Sequence, residues 1–340
     1  MKAFFILLCS VLIFSRQKEK TTQELEENSI AISSQLKTDK LQTFEFVLKN
    51  DTLISGKEGT KIWITKDLFE NYTNGKITFE LKEFYSKEDM ILNGLSTVTN
   101  KDELLESSGM FYINFKEGDK QLKIKKGKSY DVTIPNKPLA ESNIYYNDND
   151  SIFRWELSDN KLYVPIIDYF KNRAYGISVG KDGVGGFFKD VRIDSLEIVK
   201  RRDSLALIKI LENEKKMFDN QNEIYSFTSD KLGWINIDKI LTYDVIKEIT
   251  FKNRNQELKS FSLNLVYQNN QSLLNYNLNE FKTHSDSVKI IGKIKVVVYA
   301  NSGNKIMFDS FYIDKNSKSE FDLNFKEITL DKLKQELISN

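Results

Sequence analysis

Histidine and cysteine, the side chains most often used as base, nucleophile or soft metal ligand, occur once each in the 340-residue chain, as His284 and Cys9. A His/Cys metal site needs three or four such ligands, and Cys–His catalysis needs a pair. No metal and no cofactor is therefore expected. His284 lies in the run His284-Ser285-Asp286-Ser287. Neighbours in a tripeptide cannot fold their side chains into a nucleophile–base–acid relay, so His284 reads as an exposed loop residue between two strands.

Other runs bear only a superficial likeness to known sites. Gly176 and Gly180 precede Lys181 and Asp182 in a glycine-rich stretch. A phosphate-binding loop needs four residues between the glycines and a Ser or Thr after the Lys, and here there are three and an Asp, so nucleotide binding is not expected. Asp148, Asp150 and Glu156 offer hard oxygen ligands. An EF-hand loop counted from Asp148 would need Gly at its sixth position and Glu at its twelfth; Phe153 and Asp159 stand there, and the segment reads as a solvated turn. Paired carboxylates of the glycosidase kind can come from anywhere in a chain with 49 acids, which keeps a secreted carbohydrate-active hydrolase using Asp or Glu open as an alternative. Trp63, Tyr145, Tyr146, Trp155 and Trp234 form the candidate binding surface, as flat platforms for a sugar or a protein. The same residue types also serve as core and interface packing.

Fifty Lys and Arg balance the acids to a net charge of +1, so nothing drives sequence-independent binding to nucleic acid. Lys2 followed by the apolar run over residues 3–14, and an abrupt polar turn at Ser15-Arg16-Gln17-Lys18, reads as a secretory signal peptide over residues 1–15. The run is too short to span a bilayer, which takes about 20 apolar residues. Cleavage after Ser15 would remove Cys9 and leave a cysteine-free chain suited to an oxidising compartment. Residues 16–42 are rich in Lys, Glu, Thr, Ser and Gln and read as a flexible tether, with one amphipathic helix over residues 22–36 as the competing account.

The elements that must position any site are mainly strands. Apolar and polar residues alternate over residues 44–48, 61–65, 76–82, 110–115, 121–124 and 130–134, the period of a half-buried strand. Asn74-Gly75, Gly118 and Gly127 punctuate them at turns. Residues 86–92 suggest a helical turn. Residues 137–238 form a middle segment, with aromatic extended chain near residues 143–157, a flexible loop over 176–186, a helix over about 204–218, and a strand at Trp234-Ile235-Asn236-Ile237. Alternation returns near residues 261–267, 294–298 and 321–325, and apolar Leu330, Leu333 and Leu337 predict a terminal helix. The expected fold is mainly β, with two antiparallel β-sandwich-like domains over residues 43–136 and 239–340, a mixed α/β middle segment and short helices.

The segments SGKEGTKIWI (55–64), KITFELKEFYSKEDMILNGLSTVT (76–99), LLESSGMFYI (104–113) and LGWINIDK (232–239) together resemble a family of bacterial cell-envelope lipoproteins. Their N-terminal domain is similar to the ZU-five-type β-sandwich of ankyrins, zonula-occludens proteins and netrin receptors. Two positions depart from that family: Thr65 where it has Pro, and Arg16 where its lipid-bearing Cys is expected. The resemblance implies a non-catalytic module. The expected function is thus an exported binding, adhesion or scaffolding protein of the bacterial periplasm, outer membrane or cell surface. Its partner would be an envelope protein or a glycan, and it would meet the membrane only through an N-terminal anchor.

Overall fold

A computed structural model of the protein describes residues 32–148, 153–168, 173–178, 225–255, 257–278 and 282–339. The apolar run at residues 3–14 and the helix expected over residues 204–218 lie outside the described residues. The fold is mainly β, with short helices, and divides into two units. The first comprises Lys40–Tyr85 and Leu105–Ile240; the second takes Ser86–Leu104 and Leu241–Asn340, together with the chain before Lys40.

In the first unit, one sheet runs β1 (Gln42–Phe46), β4 (Ile77–Phe84), β5 (Leu105–Glu117), β13 (Gly233–Ile240), β8 (Asn143–Asn147) and β9 (Glu156–Leu157), with β6 (Lys120–Gln121) paired to the end of β5. The opposing sheet runs β11 (Arg173–Ser178), β10 (Tyr163–Asp168), β12 (Tyr225–Ser229), β7 (Tyr130–Ile134), β3 (Lys61–Ile64) and β2 (Thr52–Ser55). Alternation explains the layers. Ile77, Phe79 and Leu81 of β4, Phe111, Ile113 and Phe115 of β5, and Ile235 and Ile237 of β13 face Ile62 and Ile64 of β3, Val132 and Ile134 of β7, and Phe227 of β12 in one core. Phe79 stacks on Phe115 at 4.5 Å between ring centroids. The turns expected from sequence hold positive φ at Asn74 (67°), Gly118 (60°) and Gly127 (77°).

Three sequence boundaries are corrected here. Residues 137–238 are no separate middle segment, because β8 and β13 extend the sheet of β4 and β5, while β12 pairs with β7. The strands of residues 43–136 alone leave β5 and β7 each short of a neighbour, and the later chain supplies both. Residues 173–178, assigned in part to a glycine-rich loop, form β11, where Gly176 pairs with Pro165. Nor is the chain a tether up to residue 42. Residues 32–36 form a helical turn whose Ile32 and Leu36, four apart on one face, are buried.

The second unit also has two layers. The strands β17 (Thr283–Ile290), β14 (Val245–Asn253) and β20 (Glu320–Leu323) make one sheet. The other runs β16 (Leu273–Leu278), β15 (Lys259–Tyr267), β18 (Ile294–Ser302), β19 (Lys305–Ile313) and β21 (Lys326–Ile328). Ile249, Phe251, Val288 and Ile290 pack against Leu263, Leu265, Val296 and Val298 between them. Pairing is antiparallel except for β14 with β20, a parallel exception to the expected all-antiparallel domain. The helix α1 (Lys87–Leu92), N-capped by Ser86, packs on α2 (Leu330–Ile338), N-capped by Thr329. Lys295 is 4% exposed and donates to the carbonyls of Glu336 (2.6 Å) and Ser339 (3.2 Å), a cation set at the negative end of α2. Among the described residues no helix is long and apolar enough to cross a membrane.

Candidate binding face of the first unit

Strand register builds a row of side chains on the outer face of the sheet containing β2, β3, β7 and β12. The row one residue along, Ile54, Ile62, Val132 and Phe227, faces the core. Leu53, Trp63, Asp131 and Thr228 therefore share the opposite face, opposed pairwise across the four strands. The next row outward adds Ser55, Lys61, Thr133, Ser226 and Tyr163. Trp63 is partly exposed, and Leu53 beside it is 54% exposed. These two neighbouring apolar side chains on an otherwise polar sheet face make it a candidate contact surface.

Asp131 gives this face its electrostatics. Burial pushes its carboxyl up to about 6, although the Tyr163 hydroxyl donates to Oδ1 at 3.3 Å and works in the other direction. The Tyr163 phenol is raised in turn, by burial first and by the Asp131 charge second. The hydroxyls of Thr133 and Ser226 bond each other at 2.8 Å. The indole face of Trp63, with the half-buried Asp131 and Thr133 in adjoining rows, can stack on an apolar ring face and exchange hydrogen bonds with its polar rim, whereas Ser226 and Tyr163 are buried.

The remaining predicted platform residues do not join Trp63. Tyr145 and Trp155 are fully buried, Tyr146 is 4% exposed and Trp234 7%. Tyr146 faces the core, with its hydroxyl donating to Ser229 Oγ at 2.8 Å and accepting from Asn160 Nδ2 at 2.9 Å. Trp234 stands on the other sheet, enclosed by Phe153 (5.0 Å, edge on), Tyr112 (5.4 Å) and Phe84 (5.7 Å). Lys82 Nζ lies 5.7 Å from its ring. For these four residues packing replaces the expected binding surface: β8 and β13 are buried on both faces along most of their length, and Trp155 is buried beside β9.

Of the other residues singled out from sequence, His284 lies within β17 rather than in a loop, its ring 6.4 Å from that of Phe251. Asp148 is exposed at the end of β8 and Glu156 is exposed in β9. Among the described residues no three His, Cys, Asp or Glu side chains gather as a metal site.

Sequence reasoning passed over Asp131 and Asp238, the carboxyls that, among the described residues, the fold holds above their usual range. Asp238 is buried opposite Ser107, where the β5–β13 register shifts, and accepts from Asn236 Nδ2 at 2.5 Å. Its strand neighbour Ile237 faces the core, so Asp238 lies on the outer face of its sheet, while Asp131 lies on the outer face of the other. The two acids flank opposite sides of the sandwich and share no cleft. The signal for Asp131 was legible: it is the polar partner in the alternation of Tyr130, Val132 and Ile134. No family model, curated protein or solved structure matches the chain.

Proposed function

We propose that the protein is a non-catalytic binding protein of the bacterial envelope that holds a saccharide against the Trp63 face. The observation that carries this reading is a partly exposed Trp63 set between the 54% exposed Leu53 and the half-buried Asp131 on the outer face of a sheet. An exposed edge of a sheet face, here Leu53 and Trp63, suits the holding of an extended chain, whereas bond cleavage by two carboxylates needs both within one cleft. The apolar run at residues 3–14 supports export, and the resemblance of residues 55–64, 76–99, 104–113 and 232–239 to envelope lipoproteins supports a scaffold or adhesion role.

Binding to cell-wall and capsular saccharides, measured by affinity sedimentation and calorimetry on the purified chain, tests the reading. Trp63→Ala is expected to weaken binding about tenfold, the loss of roughly 1.4 kcal/mol of ring contact, with the circular dichroism spectrum unchanged. Unaltered affinity in that variant, or release of shortened saccharide by the wild-type chain, overturns it.

A further inference from the structure

A cleft of about 580 Å³, lined by none of the residues of the Trp63 row, opens in the first unit between the chain after β1, the chain after β3 and the segment before β7. It is large enough for a small-molecule ligand. Lys49, Lys66 and Lys125 line it, all three are exposed, and none has an ion-pair or hydrogen-bond partner for its ammonium among the described residues. The fourth charged lining residue, Asp67, is already engaged. Lys128 binds its Oδ2 at 2.7 Å and, with Thr65, holds the carboxyl down at about 2. In a chain of net charge +1, three unengaged cations around one concavity are a local concentration of positive potential.

The walls are fixed before any ligand arrives. Tyr72 Oη accepts from the Leu48 amide and donates to the Gly75 carbonyl, both at 3.0 Å. Phe69 bridges Ile124, Lys125 N donates to Leu68 O at 2.9 Å, and Lys66 N donates to Asp51 Oδ1 at 3.0 Å. Such ties spare a ligand the entropy of ordering the loops. Tyr72 and the 43% exposed Val47 supply an apolar wall beside the cations.

We infer that this cleft binds an anionic saccharide segment, whose carboxylate or phosphate groups meet Lys49, Lys66 and Lys125 while a ring face lies against Tyr72 and Val47. The site is separate from the Trp63 face and does not depend on its role. Calorimetry on the full chain with trigalacturonate, glucose 6-phosphate and neutral maltotriose tests it, since the first two probes distinguish a carboxylate from a phosphate source. At least one anionic probe is expected to bind at least tenfold more tightly than maltotriose and to weaken as salt rises. It should shift the backbone amide resonances of residues 66–72. The combined Lys49→Gln, Lys66→Gln and Lys125→Gln variant, all at exposed positions, should lose that preference with an unchanged thermal midpoint. Trp63→Ala should keep it, which separates failure of this site from failure of the other. Equal binding of all three probes, an unaltered affinity in the triple variant, or amide shifts confined to other residues overturns the inference.

Discussion

Asp131 shows how one residue links stability to solution conditions. Its folded carboxyl is pushed up to about 6, above the ordinary aspartate value of 3.8, because burial disfavours the charge more than the Tyr163 hydroxyl favours it. The folded state therefore binds a proton that the unfolded chain releases. Its stabilising contribution is complete below about pH 4 and is lost as pH rises through 6. The shift corresponds to roughly 3 kcal/mol at most. Denaturant titrations at pH 4 and pH 7 are expected to show that decline, and Asp131→Asn, which cannot ionise, should remove most of it. An undiminished slope in the variant would place the titrating group elsewhere. The carboxyl was readable as the outward member of an alternating strand. Its shifted titration was not, because burial raises it and burial is set by how distant segments pack, while Tyr163, 32 positions along the chain, works only in the opposite direction.

At the scale of elements, the hairpin between β2 and β3 shows what the glycines of residues 55–60 and the acid at position 83 do in the fold. Glu83 continues the inward series Ile77, Phe79 and Leu81 of β4, yet is fully buried. Its carboxylate accepts from Gln42 Nε2 of β1 at 2.6 Å, and from the amides of Glu58 and Thr60 at 3.0 Å each. The turn must bring its backbone onto that carboxylate. A Cβ on Gly56 would stand 2.5 Å from Glu83 Oε2, and Gly59 takes φ 103°. The glycines of SGKEGT and the acid of KITFELKEF are thus two halves of one latch. Glu83→Ala would strand buried donors from two elements, at a cost of about 3–5 kcal/mol. A urea midpoint lowered accordingly, followed by circular dichroism, is the expected outcome; a change below about 1 kcal/mol would show that the latch is dispensable. The alternation was legible up to Leu81. That the next inward position holds a charge could be understood only once the hairpin amides were seen to meet it.

For the whole molecule, strand identity was written in local periodicity, whereas the division into units was not. The expected strands near residues 130–134, 261–267 and 294–298 and the terminal helix all occur, because each rests on spacing within its own segment. Unit boundaries rest on pairing between distant segments, which local pattern does not encode. The chain leaves the first unit after Tyr85, contributes Ser86–Leu104 to the second, and returns at Leu105. β5 then lies between β4 and β13, and β13 carries Ile235 and Ile237 into the core from more than 100 positions away. A fragment of residues 43–136, the domain drawn from sequence, lacks β8, β12 and β13 and exposes Phe111 and Ile113 at an unpaired edge. Such a fragment is expected to aggregate or give a collapsed amide spectrum, whereas residues 40–240, which hold every strand of the first unit, should give a dispersed one. Cooperative unfolding of the 43–136 fragment as a soluble monomer would mean that the later strands decorate a core already sufficient without them. That outcome would contradict the burial of Ile235, Ile237 and Phe227 between the two sheets.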